Sequence, residues 1–149
     1  DSTLRQLGAL RGGALAVTAL PGGSTPEVRI ERSTLHDNAA SYGGGIYLDG
    51  GRLELASRVL LASNHAEREG GGLYASGGLV FLSDESSFVG NSAVGRGANY
   101  LLTDASAVDL FYILPAPPAH YVTLTQYCAA HPDSSAESAT LAACGPDAA

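Results

Sequence analysis

Gly43-Gly44-Gly45-Ile46-Tyr47 returns as Gly70-Gly71-Gly72-Leu73-Tyr74 and, more loosely, as Gly97-Ala98-Asn99-Tyr100. Ahead of each cluster stands an asparagine, Asn38, Asn64 and Asn91, with an alanine one or two residues later (Ala39, Ala66, Ala93). The tyrosines recur at intervals of 27 and 26 residues and the asparagines at 26 and 27. Two independent markers with one period make this a repeat, and periods of this length belong to stacked architectures.

Inside one period the chain reads as three short extended pieces, Gly45 to Asp49, Arg52 to Ala56 and Arg58 to Ser63, and the next period repeats them as Gly72 to Ala75, Leu79 to Leu82 and Ser86 to Val89. Alternation such as Arg52-Leu53-Glu54-Leu55 puts the leucines on one face and the charges on the other. No helical periodicity lies between the pieces. Strands without crossover helices bury their inner faces by winding into coils that stack. The expected fold is therefore all-β, a parallel β-helix of about four coils of about 27 residues.

Stacking predicts ladders of equivalent residues: Ile46 under Leu73, Leu53 under Val80, Leu55 under Leu82, and Leu35, Leu61 and Phe88 in one inner column. Asn38, Asn64 and Asn91 are expected to form a structural amide ladder, because a side-chain amide at a repeated bend can satisfy backbone groups above and below it. Tyr47, Tyr74 and Tyr100 stand one residue off the inward positions. They are expected to form an outer column that covers glycine-rich backbone and is the one candidate partner face.

Gly12-Gly13-Ala14-Leu15 is a degraded copy of the glycine phrase, with Ala16 where Tyr47 stands later, and Pro21-Gly22-Gly23-Ser24-Thr25-Pro26 reads as a turn insertion. Before it, Leu4, Leu7 and Leu10 recur every three residues, a spacing compatible with one helical turn or two. Leu101, Leu102, Val108 and Leu110 supply strands for a last coil. From Phe111 the segment through Pro115-Ala116-Pro117-Pro118 reads as a proline-locked cap, because proline cannot donate to a ladder. The chain thus divides into a β-helix over 1–110 and a cap and tail over 111–149.

Composition narrows function. The eight basic residues are all arginine against fifteen acidic ones, a formal net charge of -7. Phosphate neutralisation needs clustered positive charge, so nucleic acid is excluded as an expected partner. No apolar run approaches the ~20 residues of a spanning helix, so no transmembrane segment is expected. Cys128 and Cys144 suit one disulfide in an oxidising, extracytoplasmic compartment, such as the cell exterior or surface or an organelle lumen. Two free thiols are the other reading. A zinc site wants about four ligands, and only His120 and His131 lie near. The first residue is Asp, compatible with a removed leader or with an excerpt of a longer protein.

The pairing of Ser33, Leu35, Asn38 and Ala39 with Gly44, Gly45 and Ile46, and of Ser86, Phe88, Asn91 and Ala93 with Gly97 and Ala98, resembles the Phe-x-x-Asn and Gly-Gly-Ala-Ile/Leu motifs of the chlamydial polymorphic outer membrane protein repeat. The resemblance covers about residues 12–102, with Leu for Phe twice and Gly for Ala twice. It implies a right-handed, pectin-lyase-like β-helix and a surface adhesin. The stretch from Tyr112 to Cys128 resembles a Leu-Pro-Ala-Pro tail that follows such repeats in predicted microalgal proteins.

Catalysis on β-helices gathers carboxylates on one face, and Asp37, Asp49, Glu54, Asp84 and Glu85 are the candidates, with His36 and His65 beside the asparagine turns. None has an acidic equivalent one coil away, so these side chains read as a solvated face. No catalytic, metal or cofactor site is expected. The reading that follows is a non-enzymatic module that binds protein, as an accessory subunit of a large assembly or a surface adhesin. The alternative is a polysaccharide-binding or pectin-lyase-like module, decided by whether those carboxylates converge.

Overall fold

The structure, a computed structural model, describes residues 2–83, 86–113 and 136–138. Among them there is no helix, and every strand pairing is parallel. The chain is a β-helix of about four coils. The first holds β1 (Ser2–Arg5), β2 (Gly8–Arg11), β3 (Leu15–Thr18) and β4 (Glu27–Glu31). The second holds β5 (Ser33–His36), β6 (Ala39–Tyr42), β7 (Ile46–Asp49) and β8 (Arg52–Ala56). The third holds β9 (Leu60–Ala62), β10 (His65–Glu69) and β11 (Leu73–Ser83). The fourth holds β12 (Ser87–Val89), β13 (Ser92–Ala93) and β14 (Tyr100–Ile113). A short β15 (Ala136–Ser138) pairs with the start of β14.

Three ladders run along the helix axis. One stacks β1, β5, β9 and β12, a second β2, β6, β10 and β13, and the third β3, β7, β11 and β14, with β4 and β8 continuing it around a bend. The second ladder was hidden in the sequence: Ala39 to Tyr42 and His65 to Glu69 read as turns beside the asparagines, yet each forms a strand. Likewise Leu4, Leu7 and Leu10 lie on or between β1 and β2, not on a helical turn. Each coil obtains its hydrogen bonds from its neighbours, so a segment too short to be stable alone is extended by the coil beside it.

The inner face is built of in-register columns. Leu4, Leu35, Leu61 and Phe88 form one, Leu15, Ile46, Leu73 and Tyr100 another, and Val28, Leu53 and Val80 a third. Leu35, Ile46, Leu53, Leu55, Leu61 and Leu73 are fully buried. Alanine faces inward from the second ladder at Ala40 and Ala66, which keeps the coil thin there.

Corners are made by single residues in the left-handed region. Gly12, Gly43, Gly70 and Gly97 occupy one such column at φ 60°, 63°, 69° and 69°. At the corner before the asparagines the column is Gln6, Asp37, Ser63 and Gly90, so three side-chain-bearing residues accept φ 51–56°, a conformation costly outside glycine. The second and third glycines of the phrase have another role. A Cβ on Gly44 would meet the carbonyl oxygens of Gly71 and His65, one on Gly71 those of Ala98 and Ser92, and one on Gly45 would lie 2.6 Å from the Gly72 oxygen. Each coil therefore lacks side chains where the next coil crosses it.

Two irregularities account for the uneven period. Glu27 follows Thr18 by nine positions while their partners, Arg52 and Asp49, are three apart, so the Pro21 to Pro26 insertion is absorbed between β3 and β4. A bulge between Ala66 and Glu69 sets two residues against Ser41. It turns the asparagine interval of 26 back into 27 before the glycine phrase. At the other end β14 carries the ladder to Ile113, opposite Ser83, three residues past the boundary expected at 110. Pro115 to Pro118 and both Cys128 and Cys144 lie outside the described residues.

Candidate functional site

The asparagines form a continuous amide ladder. Asn38 Nδ2 donates to Asn64 Oδ1 (3.0 Å), and Asn64 Nδ2 donates to Asn91 Oδ1 (2.9 Å). The same oxygens accept the backbone N–H of the preceding coil's asparagine, 3.1 Å for Asn38 and 3.0 Å for Asn64, while the Nδ2 groups also donate to the carbonyls of Leu4, Leu35 and Leu61. All three asparagines are buried. Buried amides that satisfy one another and the bend leave nothing for a ligand, so their role is structural.

The ladder ends differently at its two ends. At the last coil Asn91 Nδ2 donates to Asn99 Oδ1 (3.1 Å). Asn99 occupies the third glycine position, and in the coils before it that space faces the next coil's asparagine: a Cβ on Gly45 would lie 3.2 Å from Asn64 Nδ2. Asn99 thus supplies, from within the fourth coil, the amide partner that the next coil's asparagine supplies to Asn38 and Asn64. At the first coil the ladder position belongs to Leu7, whose N–H donates to Asn38 Oδ1 (3.1 Å) and whose side chain is 42% exposed.

The expected outer tyrosine column is corrected by the register. Tyr47 and Tyr74 are in register and their rings stack, centroids 5.4 Å apart and planes 3° from parallel. Tyr100, however, pairs with Leu73 and not with Tyr74, and Leu101 takes the outer position. A spacing of 26 uncompensated by a bulge moves a residue to the other face of the strand, and Tyr100 is 1% exposed in the core against Phe88. In its place Tyr42 packs edge-on to Tyr74, with Arg68 over Tyr42 and Arg11 over Tyr47. Tyr47 is only 6% exposed. Burial, with Asp49 adding to it, raises the pKa of its hydroxyl.

The candidate carboxylates are placed on different parts of the coil. Asp37 sits at the bend between β5 and β6 with His36 Nδ1 2.7 Å away, and Asp49 ends β7. Glu54, on β8, is ion-paired with Arg29 of the first coil, and Arg52 lies 3.8 Å away. Arg29 is also bonded to Glu31, which lowers the Glu31 pKa. Asp84 and Glu85 lie outside the described residues. His65 Nδ1 is 2.9 Å from Ser92 Oγ. Among the described residues no group of three or more His, Cys, Asp or Glu is placed to hold a metal ion, and no helix is long and apolar enough to cross a membrane.

Among the described residues β1, β2, β3 and β4 of the first coil each stand at the end of their ladder, paired on one side only. Leu4 faces inward under Leu35 yet is 40% exposed, and Leu10 on the outer face is 72% exposed. Residues 2–18 hold Arg5 and Arg11 and no acidic residue, in a chain of net charge -7. Comparison of the chain with family models, curated proteins and solved structures gave no match.

Proposed function

We propose that the protein is a non-enzymatic interaction module, a rigid β-helix that seats its open first coil against a protein partner, as an accessory subunit of a larger assembly or as part of a surface adhesin in an oxidising compartment outside the cytoplasm. The observation that carries this is the exposure of the first coil's leucines: among the described residues its strands are paired on one side only, and Leu4, in the inner column, and Leu7, at the amide-ladder position, are 40% and 42% exposed. Exposed strand edges pair readily with another chain, and the charged residues of 2–18 are Arg5 and Arg11 alone. The partner surface is therefore apolar at its middle, able to add a strand, and acidic around it. The likeness of the repeat to that of chlamydial surface proteins, with its right-handed pectin-lyase-like fold, supports the adhesin form.

The test places a photo-cross-linking residue at Leu7 or, as control, at Val94, which is 75% exposed on the last coil, in the full chain within its source assembly. A discrete adduct is expected at position 7 and not at 94, and the Arg5→Glu/Arg11→Glu variant should abolish it. Equal adducts at both positions, or no adduct at 7 from a monomeric chain, would overturn the reading.

A further inference from the structure

At the glycine corner two tyrosines of successive coils lean toward each other over backbone that carries no side chains. Tyr42 is the last residue of β6, before Gly43, and Tyr74 is the second residue of β11 in the next coil, after Gly70 to Gly72. The bare backbone is obligatory there, because a Cβ on Gly70 would lie 2.6 Å from the Tyr74 Cβ. The two ring centroids are 5.4 Å apart with planes at 62°, an edge-to-face contact. We propose that Tyr42 and Tyr74 are a site of oxidative cross-linking, at which a carbon–carbon bond between the two phenols staples the second coil to the third. Coupling of phenols joins ring carbons ortho to the hydroxyls, so it needs a ring edge turned toward its neighbour and access for an oxidant. The Tyr42 and Tyr74 pair has both, since one edge meets the other face and each side chain is half-buried. Tyr47 has neither: it stacks on Tyr74 with planes 3° from parallel and is 6% exposed.

The oxidant is hydrogen peroxide acting through a haem peroxidase. Each phenol gives up one electron and its hydroxyl proton, and the unpaired spin of the phenoxyl spreads onto the ortho carbons. Two such radicals pair to form the new bond, and the hydrogen on each joined carbon moves to its oxygen, restoring both aromatic rings and both hydroxyls. The two phenols thus lose two protons and two electrons, which one peroxide takes up as two waters. The surroundings favour Tyr74 for the first loss. Arg68 lies over Tyr42 and donates to its hydroxyl oxygen (3.3 Å), and Arg11 lies over Tyr47. A cation held against a ring opposes removal of an electron from it, and among the described residues no such cation lies over Tyr74. Tyr42 follows, as the more exposed of the two rings that touch Tyr74. In a stack held by nearest-neighbour terms, unwinding from the first coil then stops at the second. This inference is independent of what the first coil binds.

The experiment treats the dilute full chain with a haem peroxidase and limiting peroxide, then digests it with trypsin. The chain has no lysine, so cleavage after arginine places Tyr42 and Tyr47 in peptide 33–52 and Tyr74 in peptide 69–96. Mass spectrometry is expected to find these two peptides joined and short of two hydrogens, with the fluorescence of a dityrosine. The joined peptide should vanish in Tyr42→Phe and in Tyr74→Phe and persist in Tyr47→Phe. Its yield should fall at least about tenfold when the chain is unfolded in urea, because groups held in contact react at a far higher effective concentration. The linked chain should also melt above the unlinked one, since a cross-link restricts the unfolded state. A joined peptide that persists in Tyr42→Phe, links found only between chains or not at all, or a yield unchanged in urea would overturn the proposal. An unchanged melting temperature would overturn the stapling role.

Discussion

Replacing Asn64 by Ala tests whether the amide ladder is what holds the bends of the β-helix. The Asn64 side chain takes part in four hydrogen bonds. Its oxygen accepts from the N–H and the Nδ2 of Asn38, and its Nδ2 donates to the Leu35 carbonyl and to Asn91 Oδ1. Truncation leaves the buried Asn38 N–H without its acceptor, a cost of about 1–3 kcal/mol, and removes three further bonds of net worth about 0.5–1.5 kcal/mol each. The expected loss is roughly 3–6 kcal/mol, a large share of the ~5–15 kcal/mol that holds a typical domain. Asn38→Ala removes three bonds, but its orphaned donor is the N–H of half-exposed Leu7, which water can serve. Its cost, the two remaining bonds, is expected near ~1–3 kcal/mol. Urea unfolding followed by circular dichroism reads the difference: with a slope of about 2 kcal/mol/M, Asn64→Ala should lower the midpoint by about 2 M and Asn38→Ala by about 1 M. Equal midpoints for the two variants, or an Asn64→Ala loss under about 1 kcal/mol, would refute the idea that burial of the amide column, and not mere helix geometry, sets the stability of the bends.

Gly71→Ala should unfold or severely destabilise the protein in a thermal melt, because the new Cβ would strike the Ala98 and Ser92 carbonyls. The matched change Ala98→Gly, at the equivalent position of the last coil, should cost no more than the ~0.5–1 kcal/mol of added backbone entropy. Tyr100→Ala is expected to lose about 3–5 kcal/mol, as core aromatics do, with Tyr74→Ala losing clearly less by chemical denaturation. The reverse order would restore Tyr100 to the outer column. Because burial raises the Tyr47 pKa above its unfolded value, the folded state favours the neutral phenol. The stabilisation it provides is complete below about pH 10 and is lost as pH rises through the raised value. Melting temperatures between pH 8 and 11.5 should therefore fall less steeply for Tyr47→Phe than for the parent chain.

Much of this architecture is legible in one dimension because a solenoid's contacts repeat at a fixed sequence distance. Equivalent residues of successive coils touch, so the 27-residue period is itself a contact map. The columns of Leu53 with Val80, Leu55 with Leu82 and Asn64 with Asn91 follow directly from it. The three glycines of the phrase were readable as necessary, although one serves a positive φ and the other two serve close approach.

What periodicity could not decide was anything that depends on a single residue of offset or on the absence of a neighbour. Tyr100 and the tyrosines before it look alike in sequence, yet a one-residue slip puts it in the core, while the bulge between Ala66 and Glu69 corrects a similar slip for the asparagines. The short strands Ala39–Tyr42 and His65–Glu69 carry little alternation of their own and are extended because a coil on each side hydrogen-bonds them. The repeat, its period, its inner columns and its amide ladder are already written in the residue order, since these are nearest-neighbour terms along a quasi-one-dimensional stack. One-residue offsets and local substitutions become visible in three dimensions alone: Tyr100 turns inward opposite Leu73, and Asn99 gives Asn91 the amide partner that the next coil gives Asn38 and Asn64, because both depend on which residue the neighbouring strand sets opposite.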